Sequence, residues 1–197
     1  PDDYTIFGMK PELGMLNYRD IRGANSDEPD GKIDSNDQTW IVKHTTPPVS
    51  LGLNLGFMWK GLAVDCLLQG NVGHQIVIDQ RDQWSTITAN NFAFWKDHYT
   101  SQNINSEYPR LNNNMASYYS TFWKRDASFV RLKNLNVAYT LPQMWTSKIG
   151  IEGVKVFFTG TNLFLLYDKV KYYDPENGSI RNYPLMKSFS FGLNVTI

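Results

Sequence analysis

Pro184-Leu185-Met186-Lys187-Ser188-Phe189-Ser190-Phe191-Gly192-Leu193-Asn194-Val195-Thr196-Ile197 alternates without a break. Leu185, Lys187, Phe189, Phe191, Leu193, Val195 and Ile197 occupy one set of alternate positions, and Met186, Ser188, Ser190, Gly192, Asn194 and Thr196 the other. Side chains of a strand point alternately to its two faces, so this stretch reads as a strand with a greasy face and a small, polar face. A tilted strand of about 9–11 residues crosses the hydrocarbon core of a bilayer. Strands of outer-membrane barrels set lipid-facing apolar residues against lumen-facing polar ones. The same pattern also suits an amphipathic strand of a soluble sandwich or barrel.

A second segment repeats the pattern. Val49, Leu51, Leu53, Leu55 and Phe57 alternate with Ser50, Gly52, Asn54 and Gly56; after Lys60-Gly61, Leu62, Val64, Cys66 and Leu68 alternate with Ala63, Asp65, Leu67 and Gln69. This predicts a long β-hairpin over 49–72 with a very short connection. Its polar face is built from Gly, Ser, Asn, Asp and Gln rather than Lys and Glu, which suits a crowded, wet lumen.

Composition sets the limits. Lys plus Arg and Asp plus Glu number 19 each, so no strong field recruits nucleic acid or anionic lipid. Aromatics make up 14% of the chain, a residue class that favours membrane interfaces and also carbohydrate and protein contacts. Cys66 is the single cysteine, which excludes an internal disulfide, and its apolar-face position makes it a packing residue. No apolar run approaches the roughly 18 residues of a transmembrane helix; barrel strands escape such a search. The chain begins at Pro1 without a leader and reads as part of a longer protein.

Along the chain, 1–48 reads as a loop-rich segment with one strand at about 13–20, and 49–72 as the barrel hairpin. Residues 73–126 read as a long loop with a short helix in 90–99, and 127–197 as three further strands at about 127–141, 154–167 and 184–197. A helical turn is expected around 143–148, and Asp174-Pro175-Glu176-Asn177-Gly178 marks turns in 168–183. With the C-terminus on the periplasmic side, the loops 73–126 and 168–183 fall outside the cell. The turn at 60–61 and the connection 141–153 fall in the periplasm, the expected asymmetry of such barrels. Arg131 and Lys133 fall by parity on the apolar face of Leu135, Val137, Tyr139 and Leu141, which places them above the hydrocarbon. The phase of Val154, Val156 and Phe158 is lost near Gly160, as at a bulge.

Ser128-Phe-Val-Arg-Leu-Lys-Asn-Leu-Asn-Val-Ala-Tyr-Thr-Leu-Pro142 strongly resembles the late barrel strand of SusC/RagA-type TonB-dependent transporters of Bacteroidetes. In order and spacing, other stretches agree with that family: Asp34-Ser-Asn-Asp37, Leu51-Gly-Leu-Asn-Leu-Gly56, Leu67-Leu-Gln-Gly70, Tyr108-Pro-Arg-Leu111, Gly160-Thr-Asn-Leu163, Asp174-Pro-Glu176 and Phe191-Gly-Leu-Asn-Val195. The resemblance covers nearly the whole chain. It implies an all-β fold of antiparallel transmembrane strands, about the last six of a barrel of about 22, with long extracellular loops. It implies residence in the outer membrane of a Gram-negative bacterium and contact with its lipid. It further implies import of oligosaccharides or peptides under a SusD-like surface lipoprotein, driven by TonB-ExbB-ExbD through an N-terminal part not seen here. Ile197 stands where such barrels usually carry Phe.

No enzyme is expected. His44, His74 and His98 are scattered, and spacing alone does not place two carboxylates across a cleft. Asp27, Asp30, Asp34 and Asp37 echo calcium loops, although Glu28-Pro29 breaks the EF-hand order; the alternative is an acidic turn closed by side-chain-to-backbone hydrogen bonds. In the long loop, Trp84, Trp95, Tyr99 and Trp123 are candidates to stack on a substrate, with Tyr108, Tyr118 and Tyr119 beside them, or else to form the loop's own core. Asn54, Asp65, Gln69 and Asn194, with Thr196, are the lumen-facing candidates. A soluble β-rich carbohydrate-binding module is the competing reading. On the barrel reading, the 197-residue chain made alone exposes a long sheet edge and its whole lipid face. It is therefore expected to aggregate; a soluble, monomeric product that melts cooperatively contradicts the barrel reading.

Overall fold

The computed structural model describes residues 4–78, 92–112, 118–171, 173–179 and 181–197. Among the described residues it is all-β and antiparallel, with one short α-helix. The strands are β1 (Val49–Trp59), β2 (Leu62–Val72), β3 (Gln75–Val77), β4 (Lys124–Asp126), β5 (Phe129–Thr140), β6 (Gly153–Asp168) and β7 (Ser188–Thr196). Helix α1 (Gln143–Thr146) lies between β5 and β6 and runs on into a 3-10 turn, Ser147–Ile149. Five strands form one sheet in the order β1-β2-β5-β6-β7; β3 and β4 form a separate two-stranded ladder. No helix among the described residues is long and apolar enough to cross a membrane.

The chain divides into two compact units, one of residues 1–43 and 76–125, the other of 44–75 and 126–197. The second holds the five-stranded sheet. Its hairpin turns at Lys60 (φ 43°) and Gly61 (φ 87°), the doubly positive combination of a type I′ turn. A Cβ on Gly61 would stand 2.5 Å from the Thr140 carbonyl oxygen, and Thr140 N donates to Gly61 O at 2.8 Å. The turn and the end of β5 therefore close on each other.

Register keeps the two faces separate across all five strands. Leu55, Cys66, Leu135, Gly160 and Phe189 make one row, Phe57, Val64, Val137, Phe158 and Phe191 the next, and Trp59, Leu62, Tyr139, Val156 and Leu193 the last. On the other face, Gly56, Asp65, Asn136, Thr159 and Ser190 are in line, beside Asn54, Leu67, Asn134, Thr161 and Ser188. A Cβ at Gly192 would sit 2.1 Å from the Phe157 ring, so the bare glycine gives that ring its place across β6 and β7.

The parity of Arg131 and Lys133 differs from the sequence expectation. Leu67 faces Asn134 but Leu68 faces Leu132, so the ladder passes over Lys133. Arg131 is thereby set opposite Gln69, on the polar face. A matching irregularity on β6 lies between Thr161 and Phe164, with Asn162 at φ 52°; the loss of phase expected near Gly160 falls two residues later.

The other unit contains no strand over 13–20, contrary to the expectation from alternation. Asn17 Oδ1 instead accepts from Tyr4 Oη and Tyr18 N at 3.0 and 2.9 Å, and Gly14 O accepts from Arg110 N at 2.8 Å. Alternation here serves packing against loops: Ile6 and Ile33 form a small core with Tyr4, Phe7, Met9, Met15 and Tyr18 around it. The helix expected in 90–99 is a 3-10 turn, Ala93–Lys96.

Candidate functional site

Two surfaces of the sheet unit stand out. The first is its apolar face, which has no second layer among the described residues. Leu55 is 51% exposed, Phe189 59% and Phe191 80%. A soluble sheet buries such rows against a partner layer; here they are exposed on β1 and β7 and half-buried through most of the strands between, an uncovered patch of the kind that marks an interaction surface.

The second is the polar face. Asn54, Gly56, Asp65, Asn134 and Asn136 line a notch of about 220 Å³. Of the lumen-facing candidates, Asn54 and Asp65 therefore come together. Gln69 faces Arg131 further along, and Asn194 lies across the sheet opposite Lys155. The side chains are mainly amides and hydroxyls, which donate and accept without a fixed charge.

At one end of this face a loop is fastened down. Arg131 is 3% exposed. Its Nη2 donates to Asp174 Oδ1 at 2.6 Å, and its Nε lies 2.9 Å from Glu176 Oε1, off the hydrogen-bond axis. Lys133 Nζ donates to the other oxygen of Glu176 at 2.8 Å. The skipped residue in β5 is thus what lets two cations meet one carboxylate. The loop's start is held by Lys169 Nζ, 2.8 Å from Asp126 Oδ2, while Val170 is buried. This cluster was missed at the level of sequence. Its signal lay in Asp174-Pro-Glu176 and in the two basic residues breaking the pattern of β5.

Beside it, burial pushes the His74 imidazole below its ordinary value, against the opposing pull of Asp126 and the Pro175 carbonyl. Burial works against the charge of Asp126, but the Lys169 ammonium and the hydroxyl and amide of Ser128 prevail and hold it down to about 2. Lys169 is raised in turn, chiefly by Asp126.

In the loop unit, Trp95, Tyr108 and Trp123 are buried and packed ring against ring with Phe94 and Phe122. Trp95 and Trp123, candidates for stacking on a substrate, thus form the loop's own core. Tyr99 is half-buried, with its ring against Gly14. Trp84 lies outside the described residues. A cavity of about 700 Å³ opens elsewhere, lined by Phe7, Tyr18, Arg19, Gln38, Tyr118 and Ser120 among others. Phe7 stacks on Tyr118 with centroids 4.1 Å apart, and burial, then Tyr118, raises the Tyr18 phenol.

The four aspartates of the calcium candidate form turns. Asp30 Oδ1 accepts from Lys32 N and Asp34 Oδ1 from Asn36 N. Asp37 accepts from the amides of Ile21, Arg22 and Asp34, which outweigh burial and lower its carboxyl. Asp27 is exposed. Among the described residues, no group of three or more His, Cys, Asp or Glu is placed to hold a metal ion.

No family model matches the chain. It is 28% identical, over 97% of its length, to TonB-dependent receptor P3 of Formosa agariphila, of which it covers 20%. It is 26% identical, over 84% of its length, to TonB-dependent receptor SusC of Bacteroides thetaiotaomicron, covering 16% of that protein. A solved structure of the RagAB peptide importer in its open-open state superposes with a TM-score of 0.68 and 26% identity, over 90% of this chain and 20% of that one. The chain is of the SusC/RagA type. It spans about one fifth or less of the curated relatives it matches. Those relatives are receptors and transporters.

Two outcomes are expected of the SusC/RagA-type lock in the intact protein. Arg131→Ala leaves Asp174 and Glu176 without their buried partner, a loss of about 3–5 kcal/mol. Lys169→Ala, at a half-exposed pair, costs much less, because solvent screens it. Hydrogen exchange of the 170–176 amides measures both. For pH, a lowered folded-state value means stability is present above the unfolded value and lost below it. Protection of the same amides should weaken first as pH falls through 6.5 toward the lowered value of His74. It should weaken again between 3.8 and about 2 as Asp126 is protonated. His74→Gln should remove the first step alone.

Proposed function

We propose that this chain forms part of the wall of an outer-membrane β-barrel belonging to a nutrient importer. The observation that carries the reading is the apolar face held in phase from β1 to β7, exposed on both outer strands and without a second layer among the described residues. Lipid is the solvent in which such a face is stable without a second layer, and closure of the sheet into a barrel satisfies the outer edges of β1 and β7. The polar face then lines the lumen, with Asn54, Asp65, Gln69 and Asn194 along the wall. The loop segments 73–126 and 168–183 lie outside the cell, and the turns at 60–61 and 141–153 in the periplasm.

Within the whole receptor, this wall serves TonB-driven uptake of an oligosaccharide or peptide captured beneath a SusD-like lipoprotein. The relatives support the class: one is a SusC receptor and one a peptide importer. The mainly uncharged polar face supports passage of hydrogen-bonding cargo rather than nucleic acid.

The test is fractionation. An antibody to residues 184–197 should detect, in isolated outer membranes, a species several times heavier than 22.7 kDa that resists carbonate washing. Deleting the gene should abolish growth on the imported nutrient. A 22.7 kDa species that washes off overturns the barrel and leaves the soluble carbohydrate-binding module.

A further inference from the structure

The connection between β5 and β6 carries more exposed apolar surface than a turn needs. Leu141 N donates to Val154 O at 2.9 Å, continuing the ladder to the edge of the sheet. Beyond it, Trp145 N donates to Pro142 O and closes α1, which packs on β6. The left-handed Gly150 (φ 73°) caps the 3-10 turn that follows. Thr146 is the inward residue, 2% exposed, with its hydroxyl donating to Gln143 O. Met144 and Trp145, its neighbours, are 70% and 57% exposed.

These two residues follow the last row of the apolar face. That row contains Trp59 and Tyr139, both exposed, and Lys60 Nζ stands 5.0 Å over the Trp59 ring. Indole and phenol rings beside ammonium groups are the side chains that settle at the headgroup level of a bilayer. Lys148 adds a second exposed cation, and the stretch 141–151 has no acid before Glu152.

We propose that α1 is an interfacial anchor, seating Met144 and Trp145 among the phospholipid headgroups next to the Trp59–Tyr139 row, with Lys60 and Lys148 paired to phosphate. The anchor rests on the barrel reading and deepens it: it fixes where the membrane boundary crosses this end of the wall. It also gives the 141–153 connection a reason to be longer than the Lys60-Gly61 turn.

Nitroxide labels test this in the full-length protein, with native cysteines replaced (Cys66→Ala among them), in phosphatidylethanolamine–phosphatidylglycerol vesicles. Labels go at Met144→Cys and Trp145→Cys, at Phe191→Cys as the lipid-facing reference and at Asn182→Cys as the aqueous one. Heat-modifiable migration on gels confirms that each variant is folded. Relaxation by oxygen at 144 and 145 should fall between the two references, and a nickel-chelating lipid should relax both sites more strongly than it relaxes either reference. If 144 and 145 match the aqueous reference, or are shielded from oxygen and nickel alike, while 191 remains oxygen-accessible, the anchor is overturned and the barrel wall stands. If 191 itself is relaxed by aqueous nickel and not by oxygen, the wall reading falls and the anchor with it.

Discussion

Phase is the constraint on which the rest of the sheet depends. Side chains alternate with a period of two, so a slip of one residue anywhere moves every following side chain to the other face. Here five strands hold a common phase from Trp59 to Leu193 and from Gly56 to Ser190. No single residue sets it. The type I′ turn at Lys60-Gly61 fixes the first register by its length, and the Gly61–Thr140 contact ties the third strand to that turn. A continuous apolar face forms only where every strand agrees, because one dissenting strand would set amides among the hydrophobes.

The interruption in β5 is informative for that reason. At Lys133 the ladder skips a residue, and the skip lies toward the end of the strands away from the tight turn. It moves Arg131 from the apolar to the polar face. There its guanidinium finds two carboxylates on a loop more than 40 residues later in sequence. Kept in phase, the same arginine would have faced the apolar side without a partner, at the cost of an unpaired charge. The loop gains a buried, geometrically demanding attachment, while the half-exposed Lys169–Asp126 pair nearby contributes much less. A strand defect and a loop anchor are thus one device.

Much of this was legible in the sequence, and the division between what was and was not is physical. Strict alternation in 49–72 and at Phe189–Val195 could be produced by a two-faced strand and little else, so those elements and their faces were read correctly. Arg131 and Lys133 were assigned to the wrong side because parity counting assumes an unbroken ladder, and the partners that reveal the break, Asp174 and Glu176, are remote in the chain. The segment 13–20 alternates too, yet its residues pack against Phe7 and Tyr118 rather than into a ladder. Short alternation without a neighbouring strand to pair with carries little weight. The aromatics of the long loop divided by burial, which composition does not encode: Trp95 and Trp123 went inside, and Tyr119 stayed exposed.

The two faces also explain why a modest identity of 26–28% coexists with a clear superposition. On the apolar face, any large hydrophobe keeps the face continuous, so Leu, Val and Phe can replace one another provided that phase is kept. On the polar face, hydroxyls and amides substitute for one another for the same reason. The punctuation is more demanding: the positive-φ turn at Lys60-Gly61, the bare Gly192 under the Phe157 ring, and the skipped residue with its acidic partners each depend on one geometry. A wall built under these rules tolerates drift at most of its positions. It concentrates its constraints in a few.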